Sequence, residues 1–528
     1  MCFTSGAASA SQAQGMLDGE WVGGTDVLGG WRFVQARFAS TTQGSTGSFD
    51  IPTANAMRLP LAKFVLRESE IRFEILSPLG TFVFAGALND GVLAGRLTSP
   101  AGATAALHLV RSVRQKAGNY DAAVGTYLLN NGQRLVVTYR SFGQLYALIE
   151  EGPVDQPTIR RSLNLIPRDS VSFFTSGSVN AAPKADEVFR FTTNVSQPGR
   201  VEWTVPGRAS IVGDRMPDDV RQEAAVIRSG GISLNATLFS PIASGPHPAV
   251  VSVGGSGPTT RDNVLLRARE LARAGIAVLV YDKRGTGEPA EGGWSTATFA
   301  DLASDATAAM AWLRSRRDID TTRVGWHGHS QGGWVVPLAA ARAPGARFMI
   351  LTSATPFTPA ESEAYRAGAQ SRTAKLSDAD GAAATQMMRL KWRVAEDSTA
   401  WPELAAALER VGKAPWLSIV TPPPTQSSPL WADLRAQLRT PLETQRFVQT
   451  KIPILFLFGS EDDEVPAQRS AVEWPRLFGD ARAGDVQITE VAGVGHGIFF
   501  AASPQGAVVR PDVGKLVRGW LTAHAIVR

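Results

Sequence analysis

Two grammars of apolar spacing divide the chain. From Gly19 to about Arg114, short runs alternate polar and apolar residues and are broken by Gly, Asn and Asp: "WRFVQARF", "IRFEIL", "TFVFAGAL" and "GVLAGRLT". The Asn89-Asp90-Gly91 turn between the last two is a hairpin signal. A second stretch of the same kind runs from about Gly118 to Pro206, with turns at Asn130-Asn131-Gly132 and Phe142-Gly143. Period-two alternation predicts antiparallel sheets with one buried face. Two small sheets, or halves of one barrel or sandwich, satisfy the pattern equally. "PGRASIVGDRMP" reads as a connection to the C-terminal region.

Beyond it the apolar runs become continuous: "HPAVVSVGG", "GIAVLVYDKRG", "TTRVGWHGHS", "ARFMILTSA", "IPILFLFGS" and "DVQITEVAG". Such runs fit strands buried on both faces of a parallel sheet. Helical periodicity lies between them, in "LLRARELARAG", "FADLASDATAAMAWLRSR", "GGWVVPLAAARA" and the C-terminal "DVGKLVRGWLTAHAI". Alternating strands and helices predict a doubly wound α/β domain. Pro337 inside the third helix predicts a kink or a late start. Residues 355–449 do not alternate; helical segments interrupted by "TPPPTQSSP" predict a helical cap inserted between two strands. The expected organisation is a leader remnant or disordered segment over 1–17, β-domains over 18–114 and 115–210, and an α/β domain over 211–528 carrying the cap.

Composition changes this picture little. At 528 residues the chain exceeds what one core serves. With 44% hydrophobic and 19% charged residues it is a folded protein. The net charge of +5 comes without a Lys/Arg block, so no nucleic-acid partner is expected. No run approaches the length of a membrane span, so no integral membrane segment is expected. One cysteine, Cys2, excludes an internal disulfide. Ala8-Ser9-Ala10 has the form of a signal-peptide cleavage site, although the basic and apolar regions of a leader are missing. A periplasmic or secreted location is therefore expected, or a cytoplasmic one if the segment is not a leader remnant.

The candidate chemistry gathers around "GWHGHSQGGW". Ser330 stands between Gly328 and Gly332 at the end of an expected strand and the start of a helix. Small neighbours relieve crowding at so sharp a turn, and the helix N-terminus offers N–H groups to developing negative charge. A serine hydroxyl needs a base, and the base an orienting carboxylate. Of six histidines, His327 and His329 adjoin the serine without room to reach back, and His108, His247 and His524 lie in unsuitable places. His496, in the glycine-flanked "VAGVGHGIF", is the candidate base. "FLFGSEDDEVP" offers Glu461, Asp462, Asp463 and Glu464 as candidate acids. An oxyanion hole would draw one backbone N–H from Gln331 and a second from Ser256 in "VGGSGPTTRD". The β-stretches contain only His108 and no carboxylate–histidine cluster, so a structural or substrate-shaping role is expected there.

Taken together, "GGSGP", "YDKRGTG" (281–287), "GHSQGG", "GSEDDEVP" and "GVGHGIF" resemble the α/β-hydrolase superfamily over about residues 220–528. More narrowly they look like its bacterial carboxylesterases preceded by a β-rich region. The resemblance implies a triad of Ser330, Asp462 and His496, in the chain order of that fold. It implies an oxyanion hole from Ser256 and Gln331, with Gly255 and Gly257 shaping its loop and Asp282 and Arg284 buttressing the neighbouring one. Two positions depart from the pattern: Gly254 stands where histidine is usual, and Glu288 where serine is common.

A small-molecule ester is the expected substrate, with no cofactor and no metal, since no ligand pair or dinucleotide fingerprint is present. The cap and the β-region are expected to shape access to the cleft. A peptidase of the prolyl-oligopeptidase type uses the same triad, but its propeller needs seven or eight blades of about 40–50 residues. The roughly 210 residues upstream show no such repeat. An acyltransferase or thioesterase would fit the same fold, and a non-catalytic binding protein would not require the intact motif.

Overall fold

The computed structural model describes residues 17–527 apart from 26–31, 42–43, 52–55, 68, 78–79, 90, 101, 113–119, 140–144, 154–157, 176–183, 195–196, 288–290, 424, 429–430, 441, 443, 480–484 and 504–505. The Ala8-Ser9-Ala10 site, the Phe142-Gly143 turn, Asp90 and Glu288 lie outside these residues. The chain divides into two compact units, with the change near residues 218–219.

In the first unit the ambiguity between sheet, sandwich and barrel resolves into two closed eight-stranded barrels. One runs from Gly19–Thr25 to Thr104–Ser112, each strand antiparallel to the next, and closes by pairing its first strand with its last. Alternation sends one face inward: along Glu70–Ser77, Ile71, Phe73 and Ile75 are buried while Glu70 and Arg72 are exposed. Phe73 stacks on Phe84 with ring centroids 4.8 Å apart. The other barrel runs from Gly125–Leu129 to Ile211–Met216 and encloses Tyr127, Phe173, Phe189 and Trp203. Its last strand lies inside "PGRASIVGDRMP", which is therefore not a connection. Ile211–Met216 pairs with both the Gln197–Thr204 strand and Gly125–Leu129, and without it the barrel would be open.

The second unit is built on one eight-stranded sheet. Its strands are β1 (Val220–Ser229), β2 (Ile232–Pro241), β3 (His247–Val253), β4 (Ala277–Tyr281), β5 (Ile319–His329), β6 (Met349–Thr352), β7 (Ile454–Gly459) and β8 (Val486–Val491). Their spatial order is β1-β2-β4-β3-β5-β6-β7-β8. β1 and β2 form an antiparallel hairpin, β2 pairs antiparallel with β4, and the remaining pairs are parallel. Every residue of β3 and β7 is buried, as their continuous apolar runs required.

Helices α1 (Leu265–Arg273), α2 (Phe299–Arg314) and α3 (Gly332–Arg342) follow β3, β4 and β5. α3 starts at Gly332 and runs through Pro337, so the late start does not occur. Between β6 and β7 stand α4 (Pro359–Thr373), α5 (Asp378–Glu396), α6 (Trp401–Val411), α7 (Leu417–Val420), α8 (Trp431–Leu438) and α9 (Thr444–Phe447). This insertion has its own core around Trp392, Leu404, Trp416 and Trp431. Capping boxes start α4 at Thr358 and α5 at Ser377. α10 (Ala467–Phe478) and α11 (Pro511–Ala523) complete the unit. Among the described residues no helix is long and apolar enough to cross a membrane.

Candidate active site

Ser330 sits where β5 turns into α3, with φ of 54°. That left-handed conformation is costly for a residue with a Cβ and persists only where the surroundings enforce it. The enforcement is visible: the Ser330 N–H donates to Thr352 O at 3.0 Å, pinning the turn to the end of β6. The flanking glycines answer to close approach. A Cβ on Gly332 would lie 2.4 Å from Val253 O, and one on Gly328 would lie 2.8 Å from Gly332 O. Only hydrogen fits at either place, so the helix can start against the end of β3.

His496 follows β8, and its Nδ1 lies 3.0 and 3.1 Å from the two carboxylate oxygens of Asp462. Asp462 follows β7 and is buried. Its Oδ1 accepts the N–H groups of Glu464 and Val465 at 2.9 and 3.0 Å. Its Oδ2 accepts the Ser353 hydroxyl at 2.8 Å, and the His496 carbonyl oxygen lies 3.2 Å from that same hydroxyl. Burial alone would raise the Asp462 carboxyl, but the His496 hydrogen bond and charge, with Val465 and Ser353, hold it below the usual carboxylate range. For His496, burial pulls downward, while Asp462 and then Glu464 raise the imidazole above its ordinary value. Glu464 Oε2 is 3.7 Å from His496 Nε2. The neighbouring His329 ring, 4.8 Å away, is kept neutral by burial.

Ser330 and His496 line one cavity of about 570 Å³, together with Gly255, Ser256, Trp334 and residues of the insertion. Gly255 packs beside the serine: a Cβ there would be 3.4 Å from Ser330 Cβ. Gly257 takes a φ of 74°, which suits glycine. Among the described residues no protein acceptor meets the backbone N–H of Ser256 or of Gln331.

The supporting residues divide differently from expectation. Asp282 accepts the Arg261 N–H at 2.8 Å and Arg261 Nη1 at 2.6 Å, anchoring the far end of the glycine loop. Arg284 turns away to α2, where Nη2 and Nε meet the Asp305 carboxylate at 2.7 and 2.8 Å. Lys283, between them, was missed. Its Nζ donates to Gly255 O at 2.6 Å, Gly257 O at 2.9 Å and Gln331 Oε1 at 2.9 Å. One buried ammonium thus ties the glycine loop to the residue after the serine. Burial pushes it down to about 8. The available signal was its place in "YDKRG", directly past the end of a fully apolar strand, where ligand-handling groups collect. Ser353, directly past the buried strand Met349–Thr352, was also missed.

A mostly parallel sheet crossed by helices, with a strained serine at one strand end and a carboxylate-held histidine beyond others, defines a doubly wound α/β protein of hydrolase type. The sequence model of the alpha/beta hydrolase family matches residues 245–510, and the chain belongs to that family. Among curated relatives, an uncharacterised protein of Mycobacterium tuberculosis (strain H37Rv) is 34% identical over 142 residues, 26% of this chain and 46% of its own. Esterase EstD of Thermotoga maritima is 36% identical over 117 residues, 21% of this chain and 28% of its own. The chain thus spans less than half the length of these relatives. Among solved structures, Est1E from Butyrivibrio proteoclasticus, bound to ferulic acid, is similar at 17% identity, over 57% of this chain and 99% of its own, with a TM-score of 0.37. A thermophilic esterase from Thermogutta terrifontis is similar at 20% identity, over 57% and 99%, with a TM-score of 0.34.

Proposed function

We propose that the protein is a serine carboxylesterase working through an acyl-enzyme. The observation that carries this is the pairing of a strained, cavity-lining Ser330 with a His496 held through Nδ1 by Asp462, which leaves Nε2 for the substrate side. Ser330 Oγ attacks the ester carbonyl as His496 Nε2 takes its proton, and Asp462 stabilises the imidazolium. The Ser256 and Gln331 N–H groups receive the oxyanion. Collapse expels the alcohol, which takes the proton from His496. Water, deprotonated by the same nitrogen, then hydrolyses the acyl-enzyme.

The esterase EstD match agrees with an ester substrate. Upstream of the sheet, the described residues form barrels and not propeller blades, so the oligopeptidase reading gains no support. The test is hydrolysis of p-nitrophenyl esters from C2 to C12 beside aminoacyl and prolyl p-nitroanilides. Ester turnover should fall by about 10⁴-fold or more in Ser330→Ala, with anilides untouched. Anilide cleavage would replace the reading with a peptidase. Silence towards both substrates would overturn catalysis by this site.

A further inference from the structure

The helical insertion supplies much of the lining of the cavity that holds Ser330, and most of what it supplies is polar. On α4, Arg366 donates to Glu363 Oε2 through Nε and Nη2, at 3.0 and 2.7 Å, and to Gln370 Oε1 at 2.8 Å. On α5, the buried Lys391 donates from Nζ to Val420 O at 2.8 Å. On α8, Asp433 Oδ2 accepts from Gln437 Nε2 at 3.2 Å. Charges of both signs are present and offset one another. Arg366 is paired with Glu363, Glu363 and Asp433 both act on the Lys391 ammonium, and Glu464 faces the His496 imidazole.

What this wall holds in excess is hydrogen-bonding capacity. Two of the three Lys391 ammonium hydrogens and the Gln370 amide hydrogens have no acceptor among the described residues. Glu363 Oε1, Asp433 Oδ1 and Gln437 Oε1 have no donor among them. Free donors and free acceptors therefore share the same three helices. An alkyl chain would strip water from these groups and return nothing, which penalises lipid-like esters. An ion of either sign would meet repulsion as well as attraction. A hydroxyl group both donates and accepts, so several hydroxyls on one frame answer both kinds of group. Trp334, Trp392 and Leu434 line the same cavity and suit the C–H faces of such a frame.

We propose that the substrate is an ester of a neutral, hydroxyl-rich alcohol, a monosaccharide or similar polyol, whose free hydroxyls bond Lys391, Asp433 and Gln437. A polyol has hydroxyls to esterify and no carboxyl, so it enters the ester as the alcohol. A cavity of about 570 Å³ holds one sugar ring with a short acyl group. The inference rests on the ester-hydrolysis reading above and specifies its substrate class.

The experiment compares butyrate esters of primary alcohols by pH-stat, with p-nitrophenyl butyrate beside them. They are methyl 6-O-butyryl-α-D-glucopyranoside, cyclohexylmethyl butyrate, butyrylcholine and 6-(butyryloxy)hexanoate. In the wild-type protein the sugar ester should exceed its carbocyclic counterpart in kcat/KM by about tenfold or more, the worth of one hydrogen bond to a charged group. It should also exceed both charged esters. Lys391→Met and Gln437→Leu should each bring the ratio of sugar to carbocyclic ester down towards one, and a ratio that survived both would overturn the assignment to this wall. A carbocyclic ester turned over as well as the sugar ester, or a preference for either charged ester, would overturn the inference and leave the esterase reading standing. So would turnover of p-nitrophenyl butyrate alone. Butyrate released from none of these esters would take both down. If a variant fails to fold, the wild-type ratios still decide.

Discussion

Lys283 Nζ has three hydrogens and three oxygen neighbours, two on the glycine loop and one on Gln331. Both proposed oxyanion donors are therefore set by one ammonium that need not touch substrate, and preorganised donors of this kind are each worth about 10²–10³ in kcat. Lys283→Met should lower kcat by about 10- to 100-fold with a much smaller change in KM, the split that separates donor positioning from substrate binding. Its lowered pKa adds a second expectation. As pH rises through about 8 the ammonium loses one of its three donors, so wild-type kcat should decline above that pH. In the proposed mechanism the opposite limb belongs to His496, which must be neutral to act as base. Asp462 and Glu464 raise its pKa, so the acid limb should lie at higher pH than an ordinary imidazole would give. Glu464→Gln removes one raising charge, and the acid limb of kcat/KM should move to lower pH. A limb that stayed in place would mean that Glu464 is solvated in solution.

At the scale of elements, the crossing of β3, β5 and α3 is set by two missing methyl groups. Gly332→Ala would drive a Cβ into Val253 O, a backbone atom that cannot swing aside. Soluble expression and ester turnover should both fall, with a stability loss of about 1–3 kcal/mol or more by chemical denaturation. These glycines, the serine and the strand-to-helix change were all legible, because each follows from local chemistry. So were the buried strands and the inserted helices, whose periods differ plainly. The misreadings share a cause. "IVGDRM" carries two charges and a glycine, so it looked like a linker; its place as the closing strand depends on a partner far away in sequence, Leu128, opposite Asp214. The same holds for Lys283 and Ser353, whose partners come from other strand ends. Arg284 shows the converse, since an expected loop buttress found a nearer carboxylate on α2.

The whole molecule has two units with separate cores, the barrels in one and the sheet with its insertion in the other. Units with their own cores unfold as their own cooperative systems. Calorimetry should resolve more than one transition, and a serine-reactive phosphonate on Ser330 should raise only the one belonging to residues 219–502. A single transition shifted as a whole would contradict that independence. The barrels also bear on how the chain is made. In each, the first strand completes its hydrogen bonding only with the last, Gly19–Thr25 with Thr104–Ser112 and Gly125–Leu129 with Ile211–Met216. During synthesis the opening strand of either circle must wait, one edge bare, until its closing strand has left the ribosome. Pairings that distant are slow to find, and an unpaired edge is a template for other chains. A ribosome stalled within either barrel would therefore hold a sticky, half-built sheet, which makes the interval before closure the time when this protein most needs a chaperone.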